Sequence, residues 1–119
     1  MQPLIKIKRI YQDADKSDGR RILVDRLWPR GIKKEAAAID TWEKDLAPST
    51  GLRTWFGHKP ERWTQFRKLY KKELQENEQV AAFAEGHKKD KTITLLYGAK
   101  DEAHTHALVL QEYLEHIYS

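Results

Sequence analysis

The chain has 119 residues, a length that fits one domain built around one hydrophobic core. It contains no cysteine, which excludes a disulfide framework and thiolate metal sites, and no stretch approaches the ~20 apolar residues that cross a membrane. The net charge of +4 is modest and both signs are mixed along the chain, which permits nucleic acid or another anion as a partner without requiring either. Met1 is not followed by the apolar run of a signal peptide, and with the lack of cysteine this favours a cytoplasmic location.

The hydrophobic pattern predicts strands that alternate with helices. Strands are predicted over residues 4–10, 22–24, 39–42 and 92–97. Helices are predicted over residues 50–56, 60–74 and 80–84, and in the segment after Asp101. Because strands separated by helices favour a mostly parallel sheet, the sequence predicts a single Rossmann-like, three-layer α/β domain over residues 1–119.

The stretch from Arg21 to Gly31 carries the strongest functional signal. An unbroken apolar run predicts a buried strand, and Asp25 and Arg26 follow where that strand ends. A proline and a glycine then turn the chain and display Trp28 and Arg30. Arginine presents a planar fork of donors to phosphate or carboxylate, and tryptophan presents a stacking face, so a nucleotide-like anion would use both. The alternative is a purely structural loop, with Asp25 neutralising an arginine and Trp28 in the core.

A second charged segment follows the strand at residues 92–97. Tyr97, Lys100 and Asp101 surround a glycine that leads into the predicted last helix, whose N-terminus favours an anion. The structural alternative is that this glycine only opens a turn and Asp101 only caps the helix. Ser49 and Arg53 open another helix, which follows the strand predicted at residues 39–42.

The two charged segments are stronger evidence for a functional site if their strands are parallel neighbours. The carboxyl ends of the strands at residues 22–24 and 92–97 would then coincide, and both charged segments would line one crevice, where α/β sheets bind ligands. The sequence therefore predicts a ligand-binding set made of Arg26, Trp28, Arg30, Ser49, Arg53, Tyr97, Lys100 and Asp101.

Asp25 and His106 are the candidate catalytic groups. A histidine in the first turn of a helix at the crevice has the chemistry of a general acid or base near neutral pH, although a satisfied buried histidine is the simpler interpretation. A nucleophilic set of Ser49, His106 and Asp25 is conceivable, but no nucleophile-elbow motif surrounds Ser49. His104 and His106 lie two residues apart and would point in different directions on a helix, so no metal site is predicted.

Several segments resemble the DUF488 family, specifically its small YeaO-like branch. The most specific is Val-Asp-Arg-Leu-Trp-Pro-Arg-Gly at residues 24–31. Further agreement lies at residues 45–49, 52–56, 95–101 and 106–110. The resemblance covers nearly the whole chain and implies a small α/β domain, but it supplies no activity. Where the family usually has asparagine before the last histidine, this chain has Thr105.

The leading functional hypothesis is a small cytoplasmic protein that binds a phosphate- or carboxylate-bearing ligand at the strand-end crevice, as a simple binder or as a hydrolase or transferase. One alternative is a nucleic-acid-associated protein that uses a basic helix face, made of Arg62, Arg67, Lys68, Lys71 and Lys72. Because acidic residues interrupt this face, only weak, salt-sensitive nucleic-acid binding is expected. The other alternative is a non-catalytic interaction domain. The sequence identifies neither a cofactor nor an oligomeric state.

Overall fold

The computed structural model describes residues 2–119, which form a four-stranded, all-parallel sheet. Its strands are β1 (Leu4–Arg9), β2 (Arg20–Leu23), β3 (Thr41–Trp42) and β4 (Thr92–Tyr97), in the spatial order β1-β4-β2-β3. β2 and β4 lie side by side in the middle, with Leu23 opposite Leu96. The predicted α/β domain with a parallel central sheet is therefore confirmed, and so is the adjacency of the two strands that carry the charged segments.

Four helices cover one face of the sheet. They are α1 (Thr50–Phe56), α2 (Trp63–Glu76), α3 (Glu78–His87) and α4 (His106–Tyr118). The stripe of α2, Phe66, Tyr70 and Leu74, packs into the main core together with the alternate β4 residues Ile93 and Leu95. Within residues 2–119, no helix has both the length and the apolar character that crossing a membrane requires.

The opposite face of the sheet is covered by the long connection between β2 and β3. Leu23 and Leu96 pack there in a second, smaller core, against Trp28, Ala37 and Trp42. The two indole rings meet edge to face, with 5.3 Å between their centroids. The connection contains one short 3₁₀ turn, Lys34–Ala36, so the third layer is mainly loop.

The start of α4 and the ends of α3 differ most clearly from the sequence predictions. Thr105 is the N-cap of α4, accepting a hydrogen bond from the Ala107 N–H, so Asp101 does not cap this helix. Asp101 instead accepts hydrogen bonds from the main chain of Ala103 and His104, which closes a separate turn before α4. α3 extends beyond the predicted residues 80–84 at both ends, from Glu78 to His87, and Gly86, a residue type that often ends a helix, lies inside it.

The amino-terminal edge of the sheet is held by a buried aspartate. Asp18 is 2% exposed and forms ion pairs with Lys8 at 3.2 Å and with Arg21 at 2.5 Å. The neighbouring Gly19 has φ of +63°, and a Cβ there would lie 2.3 Å from the carbonyl oxygen of Thr92. Glycine is therefore required for this tight approach of the turn to β4.

Candidate ligand-binding site

A cavity of about 320 Å³ opens at the carboxyl ends of β2 and β4. Its position is the one expected for ligand sites of open parallel sheets, where the chain leaves the strands. Its charged and imidazole-bearing lining residues are Asp25, Arg26, Arg30, Arg53, His58, His104 and His106. Its remaining walls include Tyr11, Trp28, Pro29, Phe56 and Phe66. The cavity thus combines apolar walls with three arginines and one carboxylate.

Asp25 and His106 form the half-buried floor of the cavity. Asp25 Oδ2 accepts the main-chain N–H of Gly98 at 2.8 Å, which ties the end of β2 to the end of β4. An added Cβ on Gly98 would lie only 3.0 Å from that oxygen, so a glycine permits this approach. His106 Nε2 lies 3.0 Å from the carbonyl oxygen of Val24 and 3.5 Å from Asp25 Oδ1. Because a carbonyl only accepts, Nε2 carries the hydrogen, and Nδ1 of the neutral ring keeps its lone pair.

Burial shifts the titration of both floor residues toward their neutral forms. Burial raises the pKa of Asp25 above its usual range, against the opposing effects of His106 and of the Gly98 N–H. Burial lowers the pKa of His106, although the neighbouring Asp25 carboxylate works in the other direction. Both shifts follow from the cost of placing charge in a poorly hydrated space.

The Arg26 guanidinium is occupied by the main chain. Its Nε donates to the carbonyl of Pro48 at 3.0 Å, and its Nη2 donates to that of Ala47 at 3.2 Å. Arg26 therefore joins the loop after β2 to the segment that leads into α1. In the described chain, Asp25 forms no ion pair with Arg26 or Arg30, so the structure does not contain the salt-bridged loop that was the alternative interpretation of this segment.

Arg30 and Arg53 line the cavity with exposed side chains. Across residues 2–119, neither guanidinium has an acidic partner within 4.0 Å or a hydrogen bond to another residue. The loop that carries Arg30 is held independently, because the Tyr11 hydroxyl donates to the Arg30 carbonyl at 2.9 Å. These two side chains are consequently available to an anion without first breaking a contact of the protein.

Trp28 serves the core and the cavity together. Its indole N–H donates to the Ile32 carbonyl at 2.7 Å, and its ring packs on Trp42. The rest of the ring contributes to the cavity wall, beside Pro29. The two interpretations offered by the sequence, core residue and ligand contact, are therefore compatible in this geometry.

Two histidines that were not predicted to belong to the site also line it. His58 has φ of +57° and follows Gly57, whose φ is +53°. A left-handed backbone is uncommon for a residue with a side chain, and such conformations gather at functional sites. His104 lies in the turn before α4, and its Nδ1 is 2.8 Å from Asp101 Oδ2. The hydrogen bond to His104 lowers the pKa of Asp101.

Four of the sequence-predicted site residues lie outside the cavity lining. Ser49 caps α1 and donates its hydroxyl to Glu73 at 2.6 Å, so it is not assembled with His106 and Asp25. Tyr97 is buried in the main core, where burial raises the pKa of its phenol. Lys100 is exposed, and Asp101 is engaged by His104.

The residues predicted for the site and found in its lining are Asp25, Arg26, Trp28, Arg30, Arg53 and His106. His58 and His104 were not predicted to belong to the site, because neither lies directly after a predicted strand in the sequence. The Gly-His pair at residues 57–58, just past a helix, was the one available signal of an unusual turn. Between residues 2 and 119, no three histidine or carboxylate side chains are grouped so that they hold a metal ion.

Fold and site together define an α/β domain with a basic cavity at its strand ends. The chain belongs to the DUF488 family: a family model described as the inactive DUF488-N3 subclade matches residues 4–119. It is 47% identical to the uncharacterized protein YeaO of Escherichia coli K12 over 110 residues, which cover 92% of this chain and 96% of that protein. It is 40% identical to the uncharacterized proteins Rv3073c of Mycobacterium tuberculosis H37Rv and Mb3100c of Mycobacterium bovis, over 92% of each chain. No solved structure matches the chain significantly.

Proposed function

We propose that this protein binds a small phosphate- or carboxylate-bearing ligand in the cavity at the carboxyl ends of β2 and β4. We further propose that it binds this ligand without catalysing a reaction. The observation that carries the proposal is a pair of guanidinium groups, Arg30 and Arg53, that have no partner among residues 2–119 and lie at a concave site lined by a single carboxylate. Arginine forks are the side chains best matched to planar carboxylate and tetrahedral phosphate.

The electrostatic balance of the cavity supports an anionic ligand. Asp25 offsets one of the three arginines, and Arg26 is held by carbonyl dipoles that do not cancel its charge. Burial is the main influence on the pKa of Asp25, and the Arg53 charge opposes it, so this charge acts at the cavity floor. An anion entering this space would therefore meet a net positive field before it reached Asp25.

The floor residues favour binding over catalysis. His106 Nε2–H is committed to the Val24 carbonyl, and Asp25 Oδ2 is committed to Gly98. The Thr105 hydroxyl oxygen caps α4, and the Ser49 hydroxyl is turned to Glu73, so neither is poised as a nucleophile beside His106. The description of the matching subclade as inactive supports the same conclusion.

Nucleic-acid association has less support. On the basic helix face, Glu112 pairs with Arg67 at 2.6 Å and lies 3.6 Å from Lys71. Trp55 is partly exposed beside Arg62 and offers one aromatic surface on which a base could stack. Because acidic residues already pair with this basic face, it fits only weak, salt-sensitive contact with phosphates. We therefore do not propose nucleic-acid binding as the function.

A binding titration with charge-matched variants tests the proposal. The double variant Arg30→Gln/Arg53→Gln removes the two available cavity cations, and Lys100→Gln/Lys89→Gln removes the same charge from exposed positions outside the cavity. Calorimetry with ribose 5-phosphate and with gluconate should show at least about a tenfold loss of affinity in the first variant and less than about twofold in the second. Equal losses in both variants, or no binding by the wild type, would remove the proposal.

A further inference from the structure

We infer that the ligand of this cavity is a hydroxylated anion, a phosphate or carboxylate attached to a carbon chain or ring that bears hydroxyl groups. This inference rests on the proposed function and names the part of the ligand that lies beyond its charged group. It follows from the hydrogen-bonding capacity that the protein leaves unused at the cavity wall. That capacity divides into donors at the rim and acceptors on the floor.

The free donors are the rim arginines. Arg30 and Arg53 together present guanidinium N–H groups that no residue of the described chain accepts, and both side chains are exposed. Because arginine has no acceptor capacity, these groups recognise only the anionic or otherwise electron-rich part of a ligand.

The free acceptors lie deeper. Asp25 Oδ1 lies 3.5 Å from His106 Nε2, which exceeds a normal hydrogen bond, and it accepts no hydrogen bond from the described residues. Among residues 2–119, His106 Nδ1 has no hydrogen-bond partner, because the ring bonds the Val24 carbonyl only through Nε2. His104 uses Nδ1 for Asp101, which leaves Nε2 as an acceptor when the ring is neutral.

Solvent reaches these three acceptor atoms. In the part of the chain that the structure describes, no fully buried side-chain nitrogen or oxygen lacks a hydrogen-bond partner. Atoms without a partner on Asp25, His104 and His106 are therefore accessible, and all three residues line the cavity. Three accessible acceptors on residues that line the cavity call for donors on the ligand.

Hydroxyl groups fit these acceptors better than amines do. An ammonium group would supply donors, but three arginines oppose a cation in this space. A hydroxyl supplies a donor without charge. A site built to bond ligand hydroxyls also discriminates strongly against analogues that lack them, because the analogue covers polar groups of the site and leaves them unpaired.

Matched ligand pairs separate this inference from the proposed function. Ribose 5-phosphate is compared with n-pentyl phosphate, and gluconate with hexanoate, by calorimetry on the wild-type protein at pH 8, where imidazoles of ordinary pKa are neutral. We expect the hydroxylated member of at least one pair to bind about tenfold tighter or more. If both members of each pair bind equally, the inference is overturned while anion binding stands. If none of the four binds, the proposed function fails and this inference falls with it.

Two variants locate the preference within the cavity. In Asp25→Asn, the amide oxygen must face the Gly98 N–H, so the acceptor toward the cavity becomes an amide donor. We expect this variant to bind pentyl phosphate at least as well as the wild type, because a negative charge is gone, and to lose most of the preference for ribose 5-phosphate. An unchanged preference would overturn the assignment of Asp25.

His104→Phe has a close control in the same chain. His104 and His87 each bond an aspartate three residues away through Nδ1, at 2.8 and 2.7 Å, and each packs its ring on an aromatic side chain. Only His104 lines the cavity. The preference for the hydroxylated ligand should fall about threefold in His104→Phe and stay unchanged in His87→Phe. A fall of the same size in both variants would contradict the inference.

Discussion

Two aspartates flank β2, one before it and one after it, and their surroundings are opposite. Asp18 is buried with two cations, and its pKa is held below the usual range by the Asp15 N–H and the side chains of Lys8 and Arg21, against the effect of burial. Asp25 is half-buried with no arginine or lysine partner in the described structure, and burial raises its pKa. The Asp18 carboxylate is therefore satisfied by contacts that stabilise the fold, whereas the Asp25 carboxylate keeps one oxygen without a hydrogen bond from the described residues.

The arginines around β2 show the same contrast. Arg21 is 7% exposed and bonds Asp18 together with the carbonyls of Ala37 and Ala38. Arg30 is exposed at the cavity and bonds nothing through its side chain among residues 2–119. At the amino-terminal ends of the strands the polar side chains bond each other and stabilise the fold, whereas at the carboxyl ends some polar groups keep hydrogen-bonding capacity that folding does not use.

The largest predicted effect separates the two aspartates. Asp18→Asn leaves Lys8 and Arg21 without their carboxylate, which should lower the free energy of unfolding by roughly 3–5 kcal/mol. Asp25→Asn keeps an oxygen for the Gly98 N–H and removes an unfavourably buried charge, so it should cost less than about 1 kcal/mol. Urea denaturation at pH 7 measures both values. A loss for Asp25→Asn as large as that for Asp18→Asn would erase the contrast.

The next effect distinguishes the arginines of the loop after β2. Lysine cannot reproduce the fork by which Arg26 bonds the carbonyls of Ala47 and Pro48, so Arg26→Lys should lose roughly 1–2 kcal/mol of stability. Arg30→Lys should change stability by less than about 0.5 kcal/mol, because its side chain makes no contact that folding needs. Thermal unfolding of both variants without ligand checks this order. A strongly destabilised Arg30→Lys would identify Arg30 as a structural residue.

A smaller effect is expected in the pH dependence of stability. Because burial lowers the pKa of His106, the unfolded chain takes up this proton first as pH falls through about 6.5. The wild type should therefore lose up to about 1 kcal/mol between pH 6.5 and 5.5 through this residue. His106→Gln lacks the titrating group and should lose correspondingly less. The comparison is made by urea denaturation at the two pH values, and identical slopes for the two proteins would show that His106 titrates normally.

Local sequence patterns predicted the strands and the position of the cavity well. The apolar run at residues 22–24 and the β-branched start of residues 92–97 identify two buried strands, and alternation with helices implies that they run parallel. Their adjacency then places Asp25, Arg30 and His106 at one edge of the sheet. For this reason, the end of the sheet at which the cavity lies could be predicted from the sequence.

The hydrogen-bond partners of the individual side chains near the cavity could not be predicted from the sequence. Arg26 and Arg30 stand four residues apart in one loop, yet the Arg26 guanidinium donates to carbonyls 22 and 21 residues away, whereas the Arg30 guanidinium donates to no residue between 2 and 119. Ser49 pairs with Glu73 across the α1–α2 packing, a contact that only the tertiary structure creates. His58 reaches the cavity through a left-handed turn, for which a sequence contains only a weak signal.

The most direct test of the central claim, that the carboxyl edge of the sheet binds an anion, is to map the binding of ribose 5-phosphate by NMR. In a titration of the isotope-labelled protein, backbone amide signals of residues 25–31, 53–58 and Gly98 should shift together and saturate at one concentration. Amides around Asp18 and along the basic face of α2 should remain in place. Shifts concentrated on α2, or the absence of any saturable shift at the cavity, would contradict the account.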